Sequence, residues 1–315
     1  MDWLLLLAGL GILTVGAHFL VKGGSGLALR FGLTPLVIGL TVMAYGTSSP
    51  EMVVSAQAAW QGNPAIAIGN VVGSNLCNLA LILGLCALIC PLTATATVIR
   101  REVPIMIGAT VVALLVLVDG RVQRWEGVIL LLALVLYTWT TVRQARREAG
   151  TRADKDYATE IGTAPPKLGF SLLSTLGGLA LLVLGSNLFV RGAVTIAQTF
   201  GISDIVIGLT VVAVGTSLPE LATSVVAAIK RESDVAIGNI VGSNIFNLLG
   251  ILGAVAVLSN TDTGGLAWSD LAILLLITVG ILPLVRTGGR INRWEGAALL
   301  LVFIGYTTWT VMRQV

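Results

Sequence analysis

Displaced by 169 residues, the sequence lies on itself without a gap, with Glu51 falling on Glu220. Val37–Val42 falls on Val206–Val211, Gly69-Asn70 on Gly238-Asn239, Gly73-Ser74-Asn75 on Gly242-Ser243-Asn244, and Asn78 on Asn247. Across residues 33–84 roughly half of the positions are identical to their counterparts, far more than two unrelated apolar segments share. The register also holds outside that core. Gly16 meets Gly185, Lys22-Gly23 meets Arg191-Gly192, and Arg124-Trp125-Glu126-Gly127 meets Arg293-Trp294-Glu295-Gly296. A chain built this way folds as two copies of one architecture, and whatever chemistry it carries is expected twice.

The medium follows from composition. Of 315 residues 56% are hydrophobic and 11% charged, and the mean hydropathy is +0.94, which fits a polytopic membrane protein. Apolar runs of about 20 residues, the length of a helix that crosses a bilayer, alternate with short charged loops. Spans are expected at 3–29, 35–60, 64–90, 103–118 and 126–145, then at 170–198, 204–229, 233–258, 268–285 and 295–313. Residues 1–145 thus form a first five-helix repeat and 170–315 a second, joined by a polar linker at 146–169 that carries Pro165-Pro166. The run from Trp3 to Val21 lacks a small-residue cleavage site and reads as a first span rather than a signal peptide.

Cys77, Cys86 and Cys90 share one apolar span, which argues against a disulfide framework or a zinc site. The single histidine, His18, is expected to pack inside the bundle. There is no basic-aromatic tract for nucleic acid, and no protein partner is implied.

Five spans per half force the second half into the membrane from the opposite side. The fold class is therefore an all-α membrane protein, ten transmembrane helices as two inverted five-helix repeats. With the N-terminus outside, the inner loops hold all of the 19 Lys and Arg except Arg121, Arg124, Arg191 and Arg313. That is the bias of cytoplasmic loops. The linker is expected to be cytoplasmic and both termini external.

Each half carries a polar knot inside an apolar span: Gly46-Thr47-Ser48-Ser49-Pro50-Glu51 and Gly215-Thr216-Ser217-Leu218-Pro219-Glu220. A carboxylate at mid-membrane depth costs about 2.5–3.5 kcal/mol or more, so two of them in matching places mark function. Thr47 and Ser48 lie four and three residues before Glu51, on one helix face. Pro50 has no N–H to give the Gly46 carbonyl, so the span should kink or break there, which is tolerable only in protein or beside a watery cavity. Carboxylate, hydroxyl and carbonyl oxygens together suit hard cations such as Ca²⁺ and Na⁺, and no soft ligand accompanies them. Two carboxylates balance one divalent ion, and cation binding should compete with protonation.

A second pair of patches, Ser74 with Asn78 and Ser243 with Asn247, repeats the four-residue spacing. Small residues and amides also join membrane helices by packing and hydrogen bonds, so ligation and glue are both open readings here. Trp125 and Trp294, beside arginines at span ends, read as headgroup anchors. The glycines of the first and sixth spans read as close-packing surfaces.

The paired motifs GTSxPE and GNxVGSNxxN, repeated at one offset along the whole chain, resemble those of the calcium/cation antiporter superfamily, in its prokaryotic sodium/calcium exchanger-like branch. The resemblance implies a Ca²⁺/Na⁺ site near the midplane, where the second, third, seventh and eighth spans meet. It implies Ca²⁺ on Glu51 and Glu220, assisted by Thr47, Ser48, Thr216 and Ser217 and by the carbonyls at Ala44 and Ala213. Ser74 and Ser243 match Na⁺ ligands of family members, and the first and sixth spans are implied to slide as a pair. Asn78 and Asn247 depart from members that carry an aspartate at one of these positions, and Ser49 stands where leucine is common.

The expected activity is secondary-active exchange of Ca²⁺ for Na⁺ by alternating access in a prokaryotic inner membrane. No cofactor and no enzymatic reaction are expected. A proton-coupled divalent exchanger is the nearest rival. A channel would not need a counter-ion. An intramembrane protease would not need duplicated sites, and a scaffold would not need buried acids.

Overall fold

The computed structural model describes residues 2–151, 166–200, 213–259, 261–262 and 268–314. Helices are α1 (Asp2–Phe31), α2 (Pro35–Ile38), α3 (Ala44–Thr47), α4 (Ser49–Trp60), α5 (Pro64–Leu76), α6 (Leu83–Ile89), α7 (Val103–Leu117) and α8 (Arg124–Thr151). They continue as α9 (Leu168–Thr199), α10 (Ala213–Thr216), α11 (Leu218–Ile229), α12 (Ser233–Ile245), α13 (Leu252–Leu258), α14 (Trp268–Arg286) and α15 (Arg293–Gln314). π-Helical turns at Gly39–Met43, Cys77–Ile82 and Phe246–Ile251 join helices without ending them, and one at Val98–Glu102 leads into α7. Wider turns of this kind are frequent at functional sites.

Among the described residues, seven helices are long and apolar enough to cross a membrane. The reading of ten spans differs from this for identifiable reasons. The second span divides at Ser48 into pieces too short to cross alone, and α7 holds only 15 residues after its π turn. Part of the seventh expected span, and most of the linker, lie outside the described residues. Helix α8 runs on to Thr151, past the expected end at 145. On α8 and α15 the outer faces present Leu132, Val135, Leu136, Leu301, Val302 and Ile304. An apolar surface of that extent is suited to lipid and not to water.

Glycines fix which helices touch. A Cβ on Gly9 would sit 2.5 Å from the backbone nitrogen of Phe189 and 2.8 Å from the Gly185 carbonyl oxygen. One on Gly178 would sit 2.5 Å from the Leu20 nitrogen and 2.8 Å from the Gly16 carbonyl oxygen. Helices α1 and α9 therefore cross with their backbones in contact, as small-residue seams allow. The same device recurs where α6 meets α15 at Gly84 and Gly296, and where α8 meets α13 at Gly127 and Gly253. These two crossings map onto each other by the sequence displacement, partners exchanged. Two short bridges do likewise: Leu92 and Thr93 pair with Ile291 and Arg290, and Arg121 and Val122 with Asp262 and Thr261.

The Trp-Glu-Gly repeat resolves into three separate jobs. Trp125 and Trp294 are exposed at helix starts, in keeping with headgroup anchoring. Glu126 accepts from the Gln123 N–H at 2.7 Å, and Glu295 from the Asn292 N–H at 2.7 Å, each closing the first turn of its helix as in a capping box. Gly127 and Gly296 are the crossing points just named.

One local expectation needs correction. His18 points outward from α1, edge-on to Phe19, because the inward face of that turn is taken by Gly16, Ala17 and Leu20. Glu102, just before α7, is buried, accepting from the Tyr137 hydroxyl at 2.9 Å and lying 3.6 Å from Arg101.

The seam between α1 and α9 yields a matched test. Gly178→Ala should destabilise the protein by about 1–3 kcal/mol, because the new methyl meets backbone atoms. Gly177→Ala should leave stability within about 0.5 kcal/mol of the parent, because nothing lies within 4 Å of its Cβ position. Thermal unfolding of the two variants in one detergent checks both.

Candidate functional site

The second span breaks where Pro50 removes a donor. Helix α3 ends at Thr47, Ser48 adopts φ −81° and ψ 6°, and α4 restarts at Ser49 with Pro50 in its first turn. The second half repeats this: α10 ends at Thr216, Ser217 has φ −89° and ψ 7°, and α11 starts at Leu218. Each break lets a serine hydroxyl leave its own helix face and reach the other half.

The two halves then interlock. The Ser48 hydroxyl donates to Glu220 Oε1 at 2.6 Å, and the Ser217 hydroxyl donates to Glu51 Oε1 at 3.0 Å. Both carboxyl groups are buried, 1% exposed for Glu51 and 0% for Glu220. Neither has a Lys or Arg ion-pair partner among the described residues. The sequence spacing suggested that Ser48 shares a face with Glu51. In the structure each serine instead serves the glutamate of the opposite repeat.

Several buried polar atoms have no hydrogen-bond partner among the described residues. Glu51 Oε2, Glu220 Oε2, Ser74 Oγ and both side-chain polar atoms of Asn78 and of Asn247 are buried without a hydrogen bond. Asn78 and Asn247 sit in the π turns that follow α5 and α12. Most buried polar groups are paired, so so many orphans in two matching places call for an explanation beyond packing. Ser243, unlike Ser74, donates to the Ala44 carbonyl at 3.4 Å. Gly242 makes that approach available. A Cβ there would sit 2.5 Å from the Leu40 carbonyl oxygen and 2.8 Å from Ala44 Cβ.

Thr47 is buried and donates to the Ala44 carbonyl and to Asn239 Oδ1, both at 3.3 Å. Thr216 is half-buried beside Ser217, and Ala213 opens α10. Thus Ser48, Glu51, Ser217 and Glu220 of the two knots meet directly, and Ser243 reaches the Ala44 carbonyl.

Ser55 and Ser224 escaped the sequence reading, and their partners Asn70 and Asn239 figure there only as matching positions of the repeat. Asn70 donates to Ser55 Oγ at 2.9 Å and to the Glu51 carbonyl at 3.3 Å, while Asn239 donates to Ser224 Oγ at 3.0 Å. These amide–hydroxyl pairs brace the helices that carry the glutamates. A signal existed, since Ser55 and Ser224 lie four residues after Glu51 and Glu220 in both repeats. Asn75 and Asn244 were quoted in the motif but given no separate role. Their amides bond back to the carbonyls of Val71 and Ile240, both at 2.7 Å.

Chemically, the arrangement presents two carboxylates, amide and hydroxyl oxygens, and a close backbone carbonyl at Ala44. Hard cations prefer such oxygen sets. A pair of buried carboxylates with no basic partner is stable only when cations or protons neutralise it.

Comparison with known proteins points the same way. The chain is 41% identical to a protein named putative antiporter CaxA of Alkalimonas amylolytica, over 95% of each chain. It is 37% identical to inner membrane protein YrbG of Escherichia coli, over 98% of this chain and 95% of that one. It is 31% identical to sodium/calcium exchanger MaX1 of Methanosarcina acetivorans, over 97% of each. Among solved structures, that of the sodium-calcium exchanger NCX_Mj superposes with a TM-score of 0.83 at 33% identity, covering 96% of both chains. The profile of the family described as sodium/calcium exchanger protein matches residues 1–143 and 170–312, and with both halves matched the chain belongs to that family of membrane cation exchangers.

Proposed function

We propose that this chain is a secondary-active antiporter that exchanges Ca²⁺ for Na⁺ across a prokaryotic inner membrane. One observation carries the reading: the two repeats bring together two buried carboxylates, bridged by serines of the opposite repeat, whose Oε2 atoms have no hydrogen bond and which have no basic partner among the described residues. Ca²⁺ is held between Glu51 and Glu220, with Thr47, Ser48, Thr216, Ser217 and the Ala44 and Ala213 carbonyls as further oxygen donors. Ser74, Ser243, Asn78 and Asn247 serve Na⁺. The names of MaX1 and of NCX_Mj support sodium as the counter-ion.

In this reading the molecule has ten membrane-crossing elements, as two inverted five-helix repeats. The exchanged partners of the glycine crossings and of the Ser–Glu bonds support it. The linker faces the cytoplasm and both termini face outward, in keeping with the distribution of Lys and Arg. The first and sixth spans, α1 and α9, slide together to alternate access.

The exchange rule follows from electrostatics. With Ca²⁺ or Na⁺ bound, the two carboxylates are neutralised and the site can be enclosed. Enclosing them bare costs several kcal/mol per charge, so the empty carrier does not cross. Leak is thereby suppressed and exchange is obligatory.

A proton-coupled exchange of one Ca²⁺ for two H⁺ is the second reading, and Asn78 and Asn247 favour it. Two neutral amides leave Glu51 and Glu220 as the acidic groups of the site, so several Na⁺ ions would exceed the available negative charge.

Radiolabelled Ca²⁺ uptake into proteoliposomes separates the readings. An outward Na⁺ gradient at equal pH should drive uptake. Uptake driven by a pH gradient and indifferent to Na⁺ would replace the proposal with its proton-coupled rival.

Glu51→Gln or Glu220→Gln should each reduce Ca²⁺ uptake at least about 100-fold, corresponding to more than about 2.7 kcal/mol of lost binding or transition-state stabilisation. Undiminished flux in either variant would sink the site assignment.

A further inference from the structure

Pro50 and Pro219 create the same difficulty in the two repeats, and the chain answers it in two different ways. Each proline lacks the N–H that the carbonyl four residues earlier would accept, at Gly46 and at Gly215. In the first repeat the answer is local: Ser49 Oγ donates to the Gly46 carbonyl at 2.7 Å. The position that matches Ser49 in the second repeat is Leu218, buried and without a donor in its side chain. There the bond comes from another helix. Ser186 of α9, itself buried, donates to the Gly215 carbonyl at 2.6 Å. The residue matching Ser186 in α1 is Ala17, which has no hydroxyl to return.

Helix α9 flanks both breaks, so the difference lies in the kind of contact. At Gly46 it offers the methyl groups of Leu179, 2.6 Å from where a Cβ would lie. At Gly215 it offers Val190 and the Ser186 hydrogen bond. Apolar surfaces can shift along each other with small change in energy, whereas a hydrogen bond weakens steeply once its geometry is lost. The backbones of α1 and α9 are in contact at Gly9, Gly16, Gly178 and Gly185, so the two helices act as one body.

We propose that Ser186 is a positioning residue that ties the α1–α9 pair to the cation site through the second repeat alone. Any displacement of the pair relative to the site breaks the bond to Gly215, while the Ser49 bond to Gly46 survives. The two access states are therefore unequal in energy despite the sequence repeat, and the bond favours the arrangement seen in this structure.

The inference rests in part on the exchange reading, so two measurements are needed. In oriented proteoliposomes, the ratio of half-saturating Ca²⁺ at the two faces reports the balance of access states. Ser186→Ala should shift that ratio by about 2- to 12-fold, the population change worth one hydrogen bond. Ser186→Thr, which keeps the hydroxyl, should restore it. Ser49→Ala strips a hydroxyl from the matching carbonyl without touching α9 and should leave the ratio as in the parent. An unchanged ratio in Ser186→Ala, or an equal shift in Ser49→Ala, would overturn the proposal.

Hydrogen–deuterium exchange in nanodiscs needs no transported ion. Ser186→Ala should quicken exchange both around residue 186 and across 213–220, whereas Ser49→Ala should quicken it only near 46–51. Parental rates in Ser186→Ala would count against the tie. If that variant does not fold, Ser186→Cys, a weaker donor, should give shifts of the same sign and smaller size, and parental values there would overturn it. Parent vesicles without any exchange would refute the antiport reading, and hydrogen exchange would still decide on Ser186.

Discussion

Two carboxylates stand in the interior with no positive side chain paired to them among the described residues, and the rest of the fold is arranged around that fact. Each accepts a hydroxyl from the opposite repeat, Ser48 to Glu220 and Ser217 to Glu51, at 2.6 and 3.0 Å. A hydrogen bond to a charged group contributes about 1.5–3 kcal/mol, which does not offset the burial of two charges. The remainder has to come from a bound cation or from protonation. A site neutralised by something that is also able to leave meets the physical requirement of a carrier.

Bringing the two glutamates together demands that helix backbones approach closely, and glycine makes this possible. Gly242 lets α12 press on the Leu40 carbonyl and so delivers Ser243 to Ala44. The crossings at Gly84 with Gly296 and Gly127 with Gly253 frame the bundle in matched pairs. Helices α1 and α9 close against each other in the same way, as a separate unit. Small residues therefore do two things here: they set the geometry of the site, and they bring α1 and α9 into backbone contact as one unit beside it.

Much of this was legible in the sequence because a membrane removes alternatives. Only helices satisfy the backbone there, so ends of apolar runs fall within a few residues of the observed helix ends. The break at Pro50 was legible from the missing donor, and the paired burial of Glu51 and Glu220 from their repetition. Other features were hidden because they depend on how the repeats face each other. Helical spacing allied Ser48 with Glu51, yet the break at ψ 6° turns that hydroxyl across to Glu220. His18 was expected inside, but the glycine seam of α1 occupies that face and sends it outward. Ser186 could not be found by repetition at all, because its counterpart is Ala17. The puzzle of Ser49, where leucine is common, resolves only with the structure: it caps the Gly46 carbonyl that Ser186 caps in the other half.

One shared cation site and two independent sites differ in stoichiometry, which equilibrium binding of radiolabelled Ca²⁺ to the purified protein measures. If the two repeats build one site, one Ca²⁺ binds per chain and is displaced by an alternative counter-cation, with binding lost in Glu51→Gln and equally in Glu220→Gln. Two Ca²⁺ per chain, with each variant losing one and keeping the other, would mean two independent sites and would contradict it.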